Sequence, residues 1–178
     1  SAGSEVGQLI SNTRAVVTVD ASWTYEEQST IASLSPESGQ AGTVVTISGE
    51  NMLGVSNADN VSAVTFGGVG VKLVSVSQST IEVIVTNRGT VGLADVYIQA
   101  DSGADVQLSD GFEYLERGAI DGVAPAVGQL GTEVTIEGAR LLGGGESLAS
   151  ASLGGTAAEV VSASDDSVVV IAQASTDL

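Results

Sequence analysis

The segment Ile31-Ala-Ser-Leu-Ser-Pro-Glu-Ser-Gly-Gln-Ala-Gly-Thr-Val-Val-Thr-Ile-Ser-Gly49 returns 89 residues later as Ile120-Asp-Gly-Val-Ala-Pro-Ala-Val-Gly-Gln-Leu-Gly-Thr-Glu-Val-Thr-Ile-Glu-Gly138. Pro36 falls on Pro125, and Gly39, Gly42 and Gly49 fall on Gly128, Gly131 and Gly138. Asn51-Met-Leu-Gly54 then matches Arg140-Leu-Leu-Gly143. After a two-residue deletion, Phe66-Gly-Gly68 matches Leu153-Gly-Gly155 and Ile81-Glu-Val-Ile84 matches Val168-Val-Val-Ile171, now at an offset of 87. A repeat at such a period is one packed unit copied, so the 178 residues must be read as two unit lengths rather than as one mid-sized domain.

The two copies are framed unevenly. The first runs to Gly111-Phe-Glu-Tyr-Leu115, whereas the second reaches Leu178 without counterparts of Val96–Ile98, Val106–Leu108 and Phe112–Tyr114. Those counterparts stand at the other end of the chain. Ala15-Val-Val-Thr-Val19 matches Ala104-Asp-Val-Gln-Leu108 and Trp23-Thr-Tyr-Glu26 matches Phe112-Glu-Tyr-Leu115, again at 89. Gly3-Ser-Glu-Val6 matches Gly92–Val96 more loosely, with one residue missing. The expected organisation is therefore residues 1–30 as the closing strands of a preceding or neighbouring domain, 31–116 as a complete domain, and 117–178 as a second domain lacking its closing strands.

The hydrophobic pattern sets the type of unit. Thr43–Gly49, Val61–Gly67, Val71–Val76, Ile81–Val85, Asp95–Gln99 and Ala104–Leu108 are short segments rich in Val, Ile and Thr, alternating or running between Gly, Ser, Asn and Asp breaks. Period 2 describes strands packed on one face, and no stretch of ten or more residues follows the helical period. The chain is predicted to be all-β, a sandwich of antiparallel sheets.

Composition narrows the chemistry. With no cysteine and no histidine there is no zinc finger, disulfide framework, thiol nucleophile or Ser-His-Asp triad. A formal charge of −17 repels phosphate backbones, which argues against nucleic-acid partners. The longest apolar run, Val168–Ala172, is far short of the roughly 20 residues of a membrane helix, so no membrane insertion is expected in this segment. No basic-then-apolar leader opens the sequence, so any such signal would lie outside it. A mean hydropathy of +0.31 is too high for a disordered chain despite the charge.

The order I-x-x-(L/V)-x-P-x-x-G-x-x-G-T-x-V-T-I-x-G, followed by Asn51-Met-Leu-Gly54, Val64-Thr-Phe-Gly-Gly68 and the late Phe112-Glu-Tyr114, resembles the IPT/TIG family, the immunoglobulin-like domains of plexins, some transcription factors and many large surface proteins. The resemblance covers nearly the whole chain and implies tandem immunoglobulin-like β-sandwiches of about seven strands each. The family often has a proline after the strand ending at Val85, where this chain has Thr86-Asn87-Arg88. In such a fold Phe66, Leu153, Ile47, Ile136, Trp23, Phe112, Tyr25 and Tyr114 would be core and corner anchors.

No catalytic or cofactor-binding residue is expected. Glu26 and Glu27 before Ile31, and Glu116 with Asp121 at the next junction, are calcium candidates, because calcium stiffens tandem modules through clustered carboxylates. Solvated linker charge is the alternative, and no D-x-D-x-D-G pattern supports a metal. Asn57–Asn60 and Asp165-Asp166 read as turns. Asn60-Val-Ser62 is an N-glycosylation sequon, a short motif that arises often by chance. The residues expected to join one unit to the next are Val17, Val19, Trp23 and Tyr25 on the leading strands, and Val168 and Val170 on the incomplete domain.

A half-sandwich exposes core and unpaired edges, so the partner expected is an identical repeat or a copy of the chain, engaged head to tail. The function this implies is a structural repeat of an extracellular or cell-surface fibre or stalk. The alternatives are a ligand- or glycan-binding module acting through loops such as Leu53–Asn60 and Gly143–Ser147, or an accessory domain of a secreted enzyme.

Overall fold

The computed structural model describes residues 4–55, 60–86 and 90–174. The Asn57–Asp59 part of the expected turn, Asn87 and Arg88 lie outside them. Sixteen strands and no helix occur among the described residues. They form three bodies of unequal completeness.

The first body is a ribbon of β1 (Ser4–Ile10) and β2 (Val16–Thr24), paired with each other and with no third strand among the described residues. The second is the complete sandwich. One of its sheets has the order β3 (Thr30–Ser35), β5 (Val44–Glu50), β9 (Thr80–Ile84), β8 (Lys72–Val76). The other has the order β4 (Ser38–Gly39), β11 (Asp105–Tyr114), β10 (Gly92–Ala100), β6 (Val61–Phe66), β7 (Val69–Gly70). The seven longer strands are the number the resemblance implies. Alternation drives the packing: along β5, Val45 and Ile47 point inward and are fully buried while Val44 points to solvent. Val45, Ile47, Ile81 and Val83 of one sheet meet Val64, Phe66, Val96, Ile98 and Phe112 of the other in a single core.

The third body is one sheet, in the order β12 (Ala119–Ala124), β13 (Glu133–Ala139), β16 (Ser167–Ala172), β15 (Thr156–Ala163), β14 (Ala151–Leu153). Its ladders copy those of the complete sandwich. Val134 faces Val170 and Ile136 faces Val168, as Val45 faces Val83 and Ile47 faces Ile81. The difference lies in β15, which runs unbroken where the first copy divides into β7 and β8, and so carries β14, the counterpart of β6, along on its edge.

Local backbone follows the repeat as well. Gly42 and its counterpart Gly131 sit at φ +99° and +83°, where a side chain would be strained. A Cβ on Gly49 would meet the Thr30 carbonyl oxygen, and one on Gly138 would meet that of Ala119, so close strand approach explains this pair. Pro36 and Pro125 each follow the first strand of their unit through a cis peptide bond. Nothing in the residue pattern around them had specified that isomer.

Candidate assembly interface

The ribbon is the counterpart of β10–β11 residue for residue. Leu9 pairs with Val17 and Gln8 with Thr18, as Ile98 pairs with Val106 and Tyr97 with Gln107, all displaced by 89. Both ladders carry an irregularity within one residue of the same level, after Val6 in one and, in the other, after Ala94, the counterpart of Glu5. Their turns agree in detail. Ser11 N–H donates to the Ala15 carbonyl at 2.9 Å, as Ala100 N–H donates to that of Ala104 at 2.8 Å. Arg14 adopts φ +66° where Gly103 adopts +89°. The gap of one residue expected near Val6 is thus absent from the pairing: β1 follows the same offset as β2.

The burial of the two hairpins differs completely. Ile98 and Phe112 are fully buried and Tyr114 nearly so, whereas Leu9, Val17, Trp23 and Tyr25 are exposed by 59% to 67%. Trp23 and Tyr25 touch edge to face at 6.1 Å, the arrangement of Phe112 and Tyr114 at 5.2 Å, so the aromatic corner exists before anything covers it. The side chain of Val19 lies outside what the structure describes. Two expected anchors, Trp23 and Tyr25, therefore join neither core formed by the described residues.

The incomplete sheet shows the reverse defect. Val168 and Val170 are buried at its centre, but among the described residues only Val134 joins them there, and Ile136, Leu141 and Leu153 are half-open. Leu34 is 4% exposed in the complete sandwich and its counterpart Val123 is 44% exposed. β14 pairs with β15 along one edge and with nothing along the other among the described residues. β4, which binds the end of β11 in parallel, has its counterpart in Val127–Gly128, and there Val127 is 85% exposed.

Tyr114 closes the complete sandwich. Its hydroxyl donates to the Phe66 carbonyl at 3.2 Å, tying β11 to β6 across β10. Burial raises its pKa above the ordinary 10.0, because the phenolate would lose solvation. The folded state thus favours the neutral hydroxyl. Its contribution to stability is full below about pH 10 and falls as pH rises through the higher folded value. The first sandwich is expected to lose thermal stability above pH 10, and Tyr114→Phe to flatten that loss. Equal slopes for both proteins by circular dichroism would assign the alkaline sensitivity elsewhere.

The calcium candidates are not gathered into a site. Glu116 pairs with Arg140 at 3.3 Å, an exposed ion pair at the joint between the units. Arg140 also donates through Nε to the Arg117 carbonyl at 3.2 Å. Asp121 is exposed on β12, and Glu26 and Glu27 are exposed in the segment between β2 and β3. Among the described residues no group of three or more Asp, Glu, His or Cys side chains is placed to hold a metal. Gln40 was not foreseen: its Oε1 accepts from Gly118 N–H at 3.1 Å and fixes the start of the second unit against the first. Asn60 is exposed at the start of β6, its Oδ1 accepting from Val61 N–H at 2.9 Å, while Ser62 donates to the Gln99 carbonyl.

The fold is that of tandem immunoglobulin-like β-sandwiches, one whole and one open. The family model described as IPT/TIG domain matches residues 29–114 and 119–177, and the chain belongs to that family. Among solved structures it is similar to the plexin A4 full extracellular region with domains 1 to 10, at 22% identity and a TM-score of 0.60, over 96% of this chain and 15% of that one. A second structure of that region, with domains 1 to 8, overlaps 83% of this chain and 16% of its own at 23% identity and a TM-score of 0.55. The chain thus spans about a seventh of the plexin ectodomain, and at these identities the likeness is one of fold. No curated protein sequence matches it significantly.

Proposed function

We propose that this chain is a non-catalytic structural repeat of an extended extracellular or cell-surface protein, its sandwiches stacked head to tail as a spacer or stalk. One observation carries the reading: among the described residues, a β10–β11-type hairpin stands without a sandwich, and a sandwich stands without that hairpin. Each exposes the apolar surface the other would cover, and a contact of this kind, between different faces of successive units, propagates instead of closing. The extracellular setting is supported by the extracellular origin of the similar plexin A4 region. Electron micrographs of the purified chain are expected to show rods of stacked modules. Compact single particles at every concentration would overturn the proposal.

The charge makes a second expectation. At −17 per chain, stacking brings like charges together, and screening relieves that repulsion. Self-association measured by sedimentation is expected to strengthen as ionic strength rises from about 0.01 to 0.15 M, over which the Debye length falls from about 30 to 8 Å. Dissociation by salt would instead indicate a joint built from ion pairs.

A further inference from the structure

Resting on that reading, the structure assigns the joint to one slot and one register: we propose that β1–β2 of a second copy enters the second sandwich between the free edge of β14 and the Val127–Gly128 segment. The complete sandwich supplies the template. There Tyr97 faces Thr65, Ile98 faces Val64 and Gln99 faces Ala63, and Glu113 and Tyr114 lie parallel to Ser38 and Gly39. Shifted by the two repeat offsets, Gln8 of the incoming copy faces Ser152, Leu9 faces Ala151 and Ile10 faces Ser150. Thr24 and Tyr25 then lie beside Val127 and Gly128.

The backbone of the slot is ready for these strands. Glu113 N–H donates to the Glu37 carbonyl and Leu115 N–H to that of Gly39, at 2.9 and 2.8 Å. Their counterparts are donation from Thr24 to Ala126 and from Glu26 to Gly128. Tyr25 reaches the Leu153 carbonyl as Tyr114 reaches that of Phe66, giving the joint the same closing hydrogen bond.

Side-chain sizes fit the same register. In the complete core, the Phe66 and Phe112 rings stand 4.8 Å apart and Val96 lies opposite Phe66. The joint replaces Phe112 by the larger Trp23, and replaces both neighbours by smaller residues, Phe66 by Leu153 and Val96 by Gly7. A larger ring beside two reduced neighbours is the volume-conserving exchange that cores tolerate best. A slip of one residue would turn Leu9 and Trp23 outward.

The chain's own hairpin does not reach this slot, so the hairpin that fills it is that of another copy of this repeat. Gln40 on Gly118, with Leu115 against Gly144, holds the two units end to end at the Tyr114 side of the first sandwich. Thr30 starts β3 at the far end of that edge, about 30 Å from Gly39 along extended chain. The five Cα steps from Tyr25 to Thr30, across the four residues between them, span at most about 18 Å. In a second copy the same four residues lead directly into the next complete sandwich, so the joint between copies repeats the joint within the chain, with Gln129 where Gln40 stands.

The chain has no cysteine, so introduced thiols read the register without background. Leu9→Cys and Ala151→Cys chains, mixed and oxidised, are expected to form a disulfide-linked heterodimer, and the exposed-face pair Ile10→Cys with Ser150→Cys is expected to do the same. Leu9→Cys with Leu153→Cys, two residues out of register, is expected to link at least tenfold more slowly. Tyr25→Phe is expected to weaken self-association about two- to tenfold, the range for one hydrogen bond. Linking in the shifted register, or none in samples that sediment as multimers, overturns the slot and leaves head-to-tail stacking standing. A Leu9→Cys/Ala151→Cys double variant that closes only within one chain overturns the second copy as occupant. Monomers at every concentration overturn the slot and the stalk together.

Discussion

Trp23→Ala is expected to abolish head-to-tail association while leaving the melting of the first sandwich in place, and Phe112→Ala is expected to do the opposite. The two positions are repeat equivalents with opposite environments, one exposed and one fully buried within the chain. Emptying the Phe112 site removes the ring packed against Phe66 and Tyr114, at a cost of about 3–5 kcal/mol. For a domain of this size that lowers the thermal midpoint by roughly 15 °C or more. Trp23 contributes nothing comparable to its own chain, so its loss appears only in the assembled state. It is also the single tryptophan, which makes the native protein its own reporter. Its emission is expected to move from the red, solvent-exposed position toward the blue as concentration rises and the indole enters a neighbour. An emission maximum that stays constant while sedimentation reports multimers would place the joint away from Trp23.

Much of this was legible in the sequence because repetition and period 2 are local records of packing. The strands around Val45, Val64, Ile81 and Ile98 alternate because one face of each is buried, and the offset of 89 locates their copies without any knowledge of the fold. The β1–β2 hairpin shows how far such records reach. Its alternation specifies an inward face even though neither core among the described residues receives that face, so a pattern reveals that a strand is built to be covered but not by what. Features set by non-local geometry were correspondingly silent. Gln40 acts on Gly118, 78 residues away, through a contact that no short motif encodes. Glu116 read as a calcium candidate from its position at a junction, and only the path of the chain reveals Arg140, brought back along β13 to neutralise it.

In dilute solution, the amides of Val134, Ile136, Val168 and Val170 are expected to exchange hydrogen at least about a hundredfold faster than those of Val45, Ile47, Ile81 and Val83. The paired ladders are equivalent in register, so hydrogen-bond geometry does not distinguish them. What differs is the cover. The first ladder lies beneath Phe66, Ile98 and Phe112, while the second lies beneath a β14 of three residues, and Ile136 is half-open where Ile47 is fully buried. A hundredfold difference corresponds to about 2.8 kcal/mol of opening free energy, less than the burial of two or three large apolar side chains supplies. Raising the concentration until chains stack is therefore expected to slow the second ladder toward the first, with Trp23→Ala blocking that protection and leaving the first ladder unchanged. Equal protection of both ladders in monomeric protein would mean that the single-sheet unit is stable without a partner, and the drive for completing it would then have to come from the exposed hairpin alone.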